Sequence, residues 1–141
     1  MYLLDTNVVS ELRKIRTGNA DLHVKKWAST VDASDLYISA ITMQELEIGV
    51  LLAELRDASK GAILRAWLQG NVTLTFQDRI LVVDSLVATR SAKLHVPDPK
   101  PFRDSLIAAT ALVHGMTLVT RNIADFARMG VALLNPWEKT S

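Results

Sequence analysis

The sequence predicts an α/β fold in three layers: a mainly parallel sheet flanked by helices on both faces. Three observations carry that reading. The strand-length runs are continuous apolar stretches and not alternating ones, as in strands buried on both faces. Helix-length segments separate them in the order β-α-α-β-α-α-β-α-α-β-α-β. Two of the runs stop on a carboxylate, which delivers acids to the carboxyl ends of strands, the edge where open α/β sheets bind ligands.

Tyr2-Leu3-Leu4 is the first strand, ending on Asp5. Asn7 to Lys14 sets Val8, Val9 and Leu12 among Glu11, Arg13 and Lys14, a short amphipathic helix capped by Thr6 or Asn7 and closed by Gly18-Asn19. A second helix is expected over Asp21 to Ser29, with Leu22, Val24 and Trp27 as apolar contacts, and then a strand over Leu36-Tyr37-Ile38-Ser39. Thr42-Met43-Gln44-Glu45 matches a capping box, and Leu46, Ile48, Val50, Leu51 and Leu55 carry that helix on. A polar joint from Arg56 to Gly61 leads to a helix with Ile63, Leu64, Trp67 and Leu68, making a helical hairpin suited to partner contacts.

Ile80-Leu81-Val82-Val83 is the next strand and stops on Asp84; Leu86, Val87, Ala88 and Leu94 then come at helical spacing. Val96 to Pro101 holds three of the four prolines, so it is a rigid loop that aims the next helix. Phe102 to His114 is apolar nearly all round and is predicted as the buried helix, with Asp104 alone in its first turn. Gly115 ends it, Thr117 to Thr120 is a strand, Asn122 caps a short helix containing Asp125, and Gly130 turns the chain into a last strand, Val131 to Leu134.

At 141 residues the chain fits a single domain, 1–141. With no cysteine, neither a disulfide framework nor a thiolate metal site is available. With a strand expected from the second residue, no leader is expected, and no apolar run reaches the ~20 residues of a membrane helix. A cytoplasmic protein without membrane attachment is the expectation. Net charge of +1 excludes a global field announcing nucleic acid, so any basic surface must be local.

Asp5, Glu45, Asp84, Asp104 and Asp125 each fall at a strand end or in the opening of the next helix, positions that a parallel sheet gathers on one edge. Singly, each has a plain structural explanation: Glu45 closes a capping box, and Asp84 and Asp125 sit at cap spacing. Asp5 and Asp104 resist it, one ending an apolar strand and the other heading the most hydrophobic helix. As a set they point to a shared site for a hard cation, Mg²⁺ or Mn²⁺, since carboxylates crowded together repel unless a cation sits among them. Metal-assisted phosphodiester hydrolysis is the reaction class this implies. Asp5, Asp104 and Asp125 are the candidate ligands, and Glu45 either ligates or takes the proton from water. Thr6, Asn7, Thr120 and Asn122 are candidates to hold carboxylates or metal waters. Arg13, Lys14, Arg103 and Arg121 are the candidate phosphate contacts. His23, His95 and His114 are scattered and give no ligand pattern.

Leu3-Leu4-Asp5-Thr6-Asn7, Ile38-Ser39 through Glu45-Leu46, Asp104 through Ala111, and Leu118 through Asn122 with Asp125-Phe126 resemble the ordered motifs of the PIN domain. The likeness is greatest to VapC-type toxins of toxin–antitoxin pairs, in the FitB-like branch, through Ser10-Glu11-Leu12-Arg13-Lys14 and Leu134-Asn135-Pro136-Trp137. The resemblance implies a Mg²⁺- or Mn²⁺-dependent ribonuclease with Asp5, Glu45, Asp104 and Asp125 as its acids. It also implies a VapB-type antitoxin covering the site, a homodimer or higher complex, and operator DNA bound only through the antitoxin. Members typically carry a basic or aromatic residue where this chain has Glu47. A catalytically silent PIN-like binding subunit is the alternative; its mark would be a lost acid, and none is lost. A haloacid-dehalogenase-like phosphatase wants a second Asp where Asn7 stands, a receiver-like module wants a late Lys that only Lys139 could supply, and no Gly-x-Gly-x-x-Gly comes after the first strand.

Overall fold

The computed structural model describes residues 1–139. Its five strands are β1 (Tyr2–Leu4), β2 (Leu36–Ser39), β3 (Ile80–Leu81), β4 (Thr117–Val119) and β5 (Leu133–Leu134). They lie in the order β3-β2-β1-β4-β5, and every neighbouring pair is parallel. The helices are α1 (Thr6–Arg13), α2 (Leu22–Thr30), α3 (Ala40–Arg56), α4 (Ala58–Trp67), α5 (Thr73–Thr75), α6 (Ser85–Leu94), α7 (Phe102–His114) and α8 (Ile123–Phe126). Among the described residues no helix is long and apolar enough to cross a membrane.

Successive strand residues point to opposite faces, and β1 divides accordingly. Leu4 joins Val8, Val9, Trp27, Ile38, Leu46 and Phe76 in one core; Leu3 joins Ile107, Ala108, Ala111, Met116 and Phe126 in the other. Leu118 and Val119 of β4 split the same way. That is why these strands read as continuous apolar runs: both faces are covered.

The elements differ from the sequence reading at their ends. β3 stops at Leu81, because Leu81 pairs with Ser39 and β2 goes no further; Val82 beyond it is 64% exposed. β4 ends at Val119 and β5 begins only at Leu133. The helix expected from the capping box at Thr42 starts earlier, at Ala40, capped by Ser39, whose side chain accepts from Thr42 N at 3.1 Å. The polar joint shrinks to Asp57, which caps α4 by accepting from Ser59 N and Lys60 N. Gly61 lies so close to α3 that a Cβ there would stand 2.5 Å from Glu54 Cα, so glycine is what lets the hairpin close. A π-helical turn, Leu68–Val72, and α5 prolong this arm beyond the predicted helix because Leu68, Val72 and Phe76 are buried in the first core.

Candidate active site

β1 ends at Leu4 and the chain turns at once into α1, so Asp5 is held at the junction, 6% exposed. Asp5 itself, not Thr6 or Asn7, caps α1: its Oδ1 accepts from Thr6 N at 2.8 Å. Its Oδ2 accepts from Thr120 Oγ1 at 2.8 Å and Asn7 Nδ2 at 3.3 Å. Thr120 comes directly after β4, the strand beside β1, and its hydroxyl in turn accepts from Asn122 N at 3.0 Å. Asn7 Oδ1 accepts from Arg121 N at 3.2 Å. The ends of two adjacent strands are therefore laced together around one carboxylate.

Glu45 falls in the second turn of α3, since the helix starts at Ala40, and has no capping duty. Its Oε1 accepts from Thr6 Oγ1 at 2.6 Å and its Oε2 lies 3.7 Å from Arg103 Nη1. Asp104 stands in the first turn of α7, whose N-cap is Pro101 and offers no side-chain bond. Asp125 is exposed on α8, where Asn122 occupies the cap position without a capping side-chain bond.

These four acids form one electrostatic unit. Burial raises the Asp5 carboxyl above the ordinary carboxylate value; bonds from Thr120 and Thr6 oppose the rise and the Glu45 charge adds to it. Burial also raises Asp104, and Asp5, Asp125 and Glu45 push it further, with Arg103 opposing. Asp84 does not belong with them: it is exposed, caps α6 by accepting from Val87 N at 3.0 Å, and exerts no charge felt at Asp5 or Asp104. The sequence places all five on one edge; β3 ends two residues early and leaves Asp84 outside.

Among the described residues no three His, Asp or Glu side chains are drawn together closely enough to hold a metal ion as they stand. The donor set nonetheless fits a hard cation. It is all oxygen, it is partly buried, and its mutual repulsion is the penalty that bound positive charge removes.

Of the four cations expected beside the acids, Arg103 is on the rim, 55% exposed and facing Glu45. The Arg121 guanidinium lies over the Trp137 ring at 5.2 Å while its backbone joins the Asn7 lacing. Arg13 and Lys14 are elsewhere: α1, capped by Asp5, carries them to its far end, about 12 Å along the axis. There Arg13 lies over Trp67 and Lys14 pairs with Glu11. Sequence reasoning missed Ser39, although a serine ending an apolar strand three residues before Thr42 is a recognisable N-cap signal.

The PIN-domain family model matches residues 2–132. Toxin FitB of Neisseria gonorrhoeae is 38% identical over 97% of this chain and 99% of its own length. VapC ribonuclease Y4jK of Sinorhizobium fredii is 36% identical over 98% of this chain and 99% of its own. A chain in the structure of FitAB bound to IR36 DNA fragment superposes with a TM-score of 0.88 at 34% identity, covering 100% of this chain and 99% of that one. An all-parallel sheet with coupled acids at one edge and a family match across nearly its whole length lead to one conclusion: the chain belongs to the PIN-domain family.

Proposed function

We propose that this chain, as a single PIN domain over residues 1–141, is a divalent-metal-dependent endoribonuclease, the toxin of a VapBC-type pair. The observation that carries the reading is the coupling of Asp5, Glu45, Asp104 and Asp125 at the carboxyl edge of the sheet, with Arg103 beside Glu45 and Asp104. Similarity to proteins named as a FitB toxin and a VapC ribonuclease supports the substrate class and the toxin role.

Asp5, Asp104 and Asp125 are the residues to hold Mg²⁺ or Mn²⁺. When bound, such an ion supplies charge stabilisation at the phosphoryl group and a water acidic enough to attack. Thr120 and Asn7 orient Asp5 through Oδ2, and Thr6 fixes Glu45 through Oε1. Glu45 Oε2 is left facing Arg103, free to take a proton from the attacking water. Arg103 and Arg121 are the cations assigned to the RNA backbone in this reading. A VapB-type antitoxin as partner, a homodimer or higher complex, contact with operator DNA only through the antitoxin, and residence in the cytoplasm complete the reading; similarity to a FitAB complex on DNA supports the first and third.

The test is cleavage of a mixed pool of structured cellular RNAs by antitoxin-free protein, with Mn²⁺ or Mg²⁺ against chelator. Cleavage that needs the ion and vanishes in Asp5→Asn with the fold intact is the expected result. A protein that neither binds the ion nor cleaves under any condition, yet still binds an antitoxin, would make it the silent binding subunit instead.

A further inference from the structure

The sequence shows no pattern around His95, but the fold seats it at the end of α6 against the start of α7, where it meets Ser105, the residue after Asp104. Lys100 N donates to His95 Nδ1 at 3.2 Å. A backbone N–H can only donate, so Nδ1 is the unprotonated nitrogen and the proton sits on Nε2. Nε2–H then donates to Ser105 Oγ at 3.0 Å. Ser91 Oγ, on α6, donates to the same oxygen at 3.0 Å, and the Ser105 hydroxyl itself donates to Phe102 O at 2.8 Å. Two bonds accepted and one donated use the full capacity of the Ser105 hydroxyl, so only one arrangement satisfies the group. Ser105 is fully buried and Ser91 nearly so, at 0% and 4% exposed.

This clasp compensates for something α7 lacks. The helix starts at Phe102, its cap residue Pro101 offers no side-chain bond, and its first turn carries Asp104 into the repulsion of Asp5, Asp125 and Glu45. Neighbouring residues on a helix are about 100° apart round the axis, so pinning Ser105 inward against α6 fixes the direction in which Asp104 leaves the helix. The Phe102 ring closes the other side, 5.2 Å from the imidazole.

We propose that His95, acting through Ser105 with Ser91, is a positioning residue that holds Asp104 in place at the acidic edge. The proposal rests on the reading of Asp104 as a metal ligand. The experiment is titration of the full chain with Mn²⁺ alone, free ion followed by electron paramagnetic resonance, alongside thermal unfolding without metal. The variants are Asp104→Asn, Ser105→Ala, His95→Ala, His95→Gln and His95→Asn. Ser105→Ala and His95→Ala are expected to weaken Mn²⁺ binding about tenfold, the low end for loss of a group supporting a ligand. Glutamine places an amide donor near the Nε2 position and should restore most of the affinity. Asparagine supplies only the acceptor to Lys100 N and should not.

Wild-type affinity in Ser105→Ala and His95→Ala, while Asp104→Asn has lost the ion, overturns the proposal and leaves the metal site standing. Loss of thermal stability without loss of affinity overturns it too, since that is all a merely structural clasp predicts. Failure of the wild type to take up Mn²⁺, or undiminished binding by Asp104→Asn, fells the metal reading and this inference with it. Should Ser105→Ala not fold, the three His95 variants at a half-buried helix end decide the matter.

Discussion

Carboxylates gather in two places in this molecule, and the chain treats them in opposite ways. On the α3–α4 hairpin, Arg65 bridges Glu47 and grips Glu54 with two nitrogens, Nη2 at 2.9 Å and Nε at 3.3 Å. The Glu54 carboxyl is held below its ordinary value and the guanidinium above its own. At the carboxyl edge of the sheet, four acids share Arg103, no nearer than 3.7 Å to Glu45, and both Asp5 and Asp104 lie above their ordinary value. A chain able to pair two glutamates on an exposed hairpin leaves its more buried acids short of positive charge. Sites kept at such an electrostatic cost are where function is expected, and positive charge brought in by a ligand is what would relieve the repulsion.

The largest effects are expected at the two carboxylates proposed as ligands. Asp5→Asn and Asp104→Asn should abolish RNA cleavage with the fold preserved, measured as initial rates in Mn²⁺ and checked by circular dichroism. Glu45→Gln comes next, with a loss of about 10²–10⁴-fold in rate if it takes the proton; near-complete loss of ion binding in the same variant would make it a ligand instead. Thr6→Val or Thr120→Val, each removing a hydroxyl that orients a carboxylate, should cost about 10–100-fold in metal affinity or rate.

Stability against pH sharpens the same contrast. Asp104 is raised in the folded state, so as pH climbs from the ordinary carboxylate value to the folded one the unfolded chain has already lost its proton while the folded chain keeps it. Stability from this group is present below that window and is lost as pH rises through the folded value. Metal-free Asp104→Asn should therefore melt a few degrees higher than wild type at neutral pH, with the gap closing as pH falls. Mn²⁺ should stabilise wild type and leave the variant unmoved. A variant that melts lower at neutral pH would mean that Asp104 is already compensated without metal.

The sheet and its helices were legible because strands covered on both faces leave unbroken apolar runs, as Leu3-Leu4 and Leu118-Val119 do. The four coupled acids were legible because a parallel sheet sends strand ends to one side. Asp84 misled because the length of an edge strand depends on its neighbour: nothing in Ile80 to Val83 tells that β2 stops at Ser39. The capping role that the sequence also offered Glu45 was false, because Ser39, at the end of a strand, supplies the real cap. The His95 clasp lay beyond reach, since a loop of prolines returns Lys100 and Ser105 to the end of α6 and no local spacing encodes that contact.

The smallest effect belongs to the paired charges. Arg65→Met keeps much of the aliphatic stem along α4 and removes the guanidinium from Glu47 and Glu54. Exposed pairs are screened by water and hold long side chains at an entropic cost, so the gain forgone is small even for a bidentate geometry. Cleavage and Mn²⁺ affinity should match wild type, and the melting temperature should drop slightly at low salt and less at high salt. Glu47 is engaged with Arg65 on the hairpin. If Arg65→Met instead changed the metal affinity, the hairpin and the acidic edge would be coupled through α3, which carries both Glu45 and Glu47, and their opposite treatment of charge would be two ends of one device.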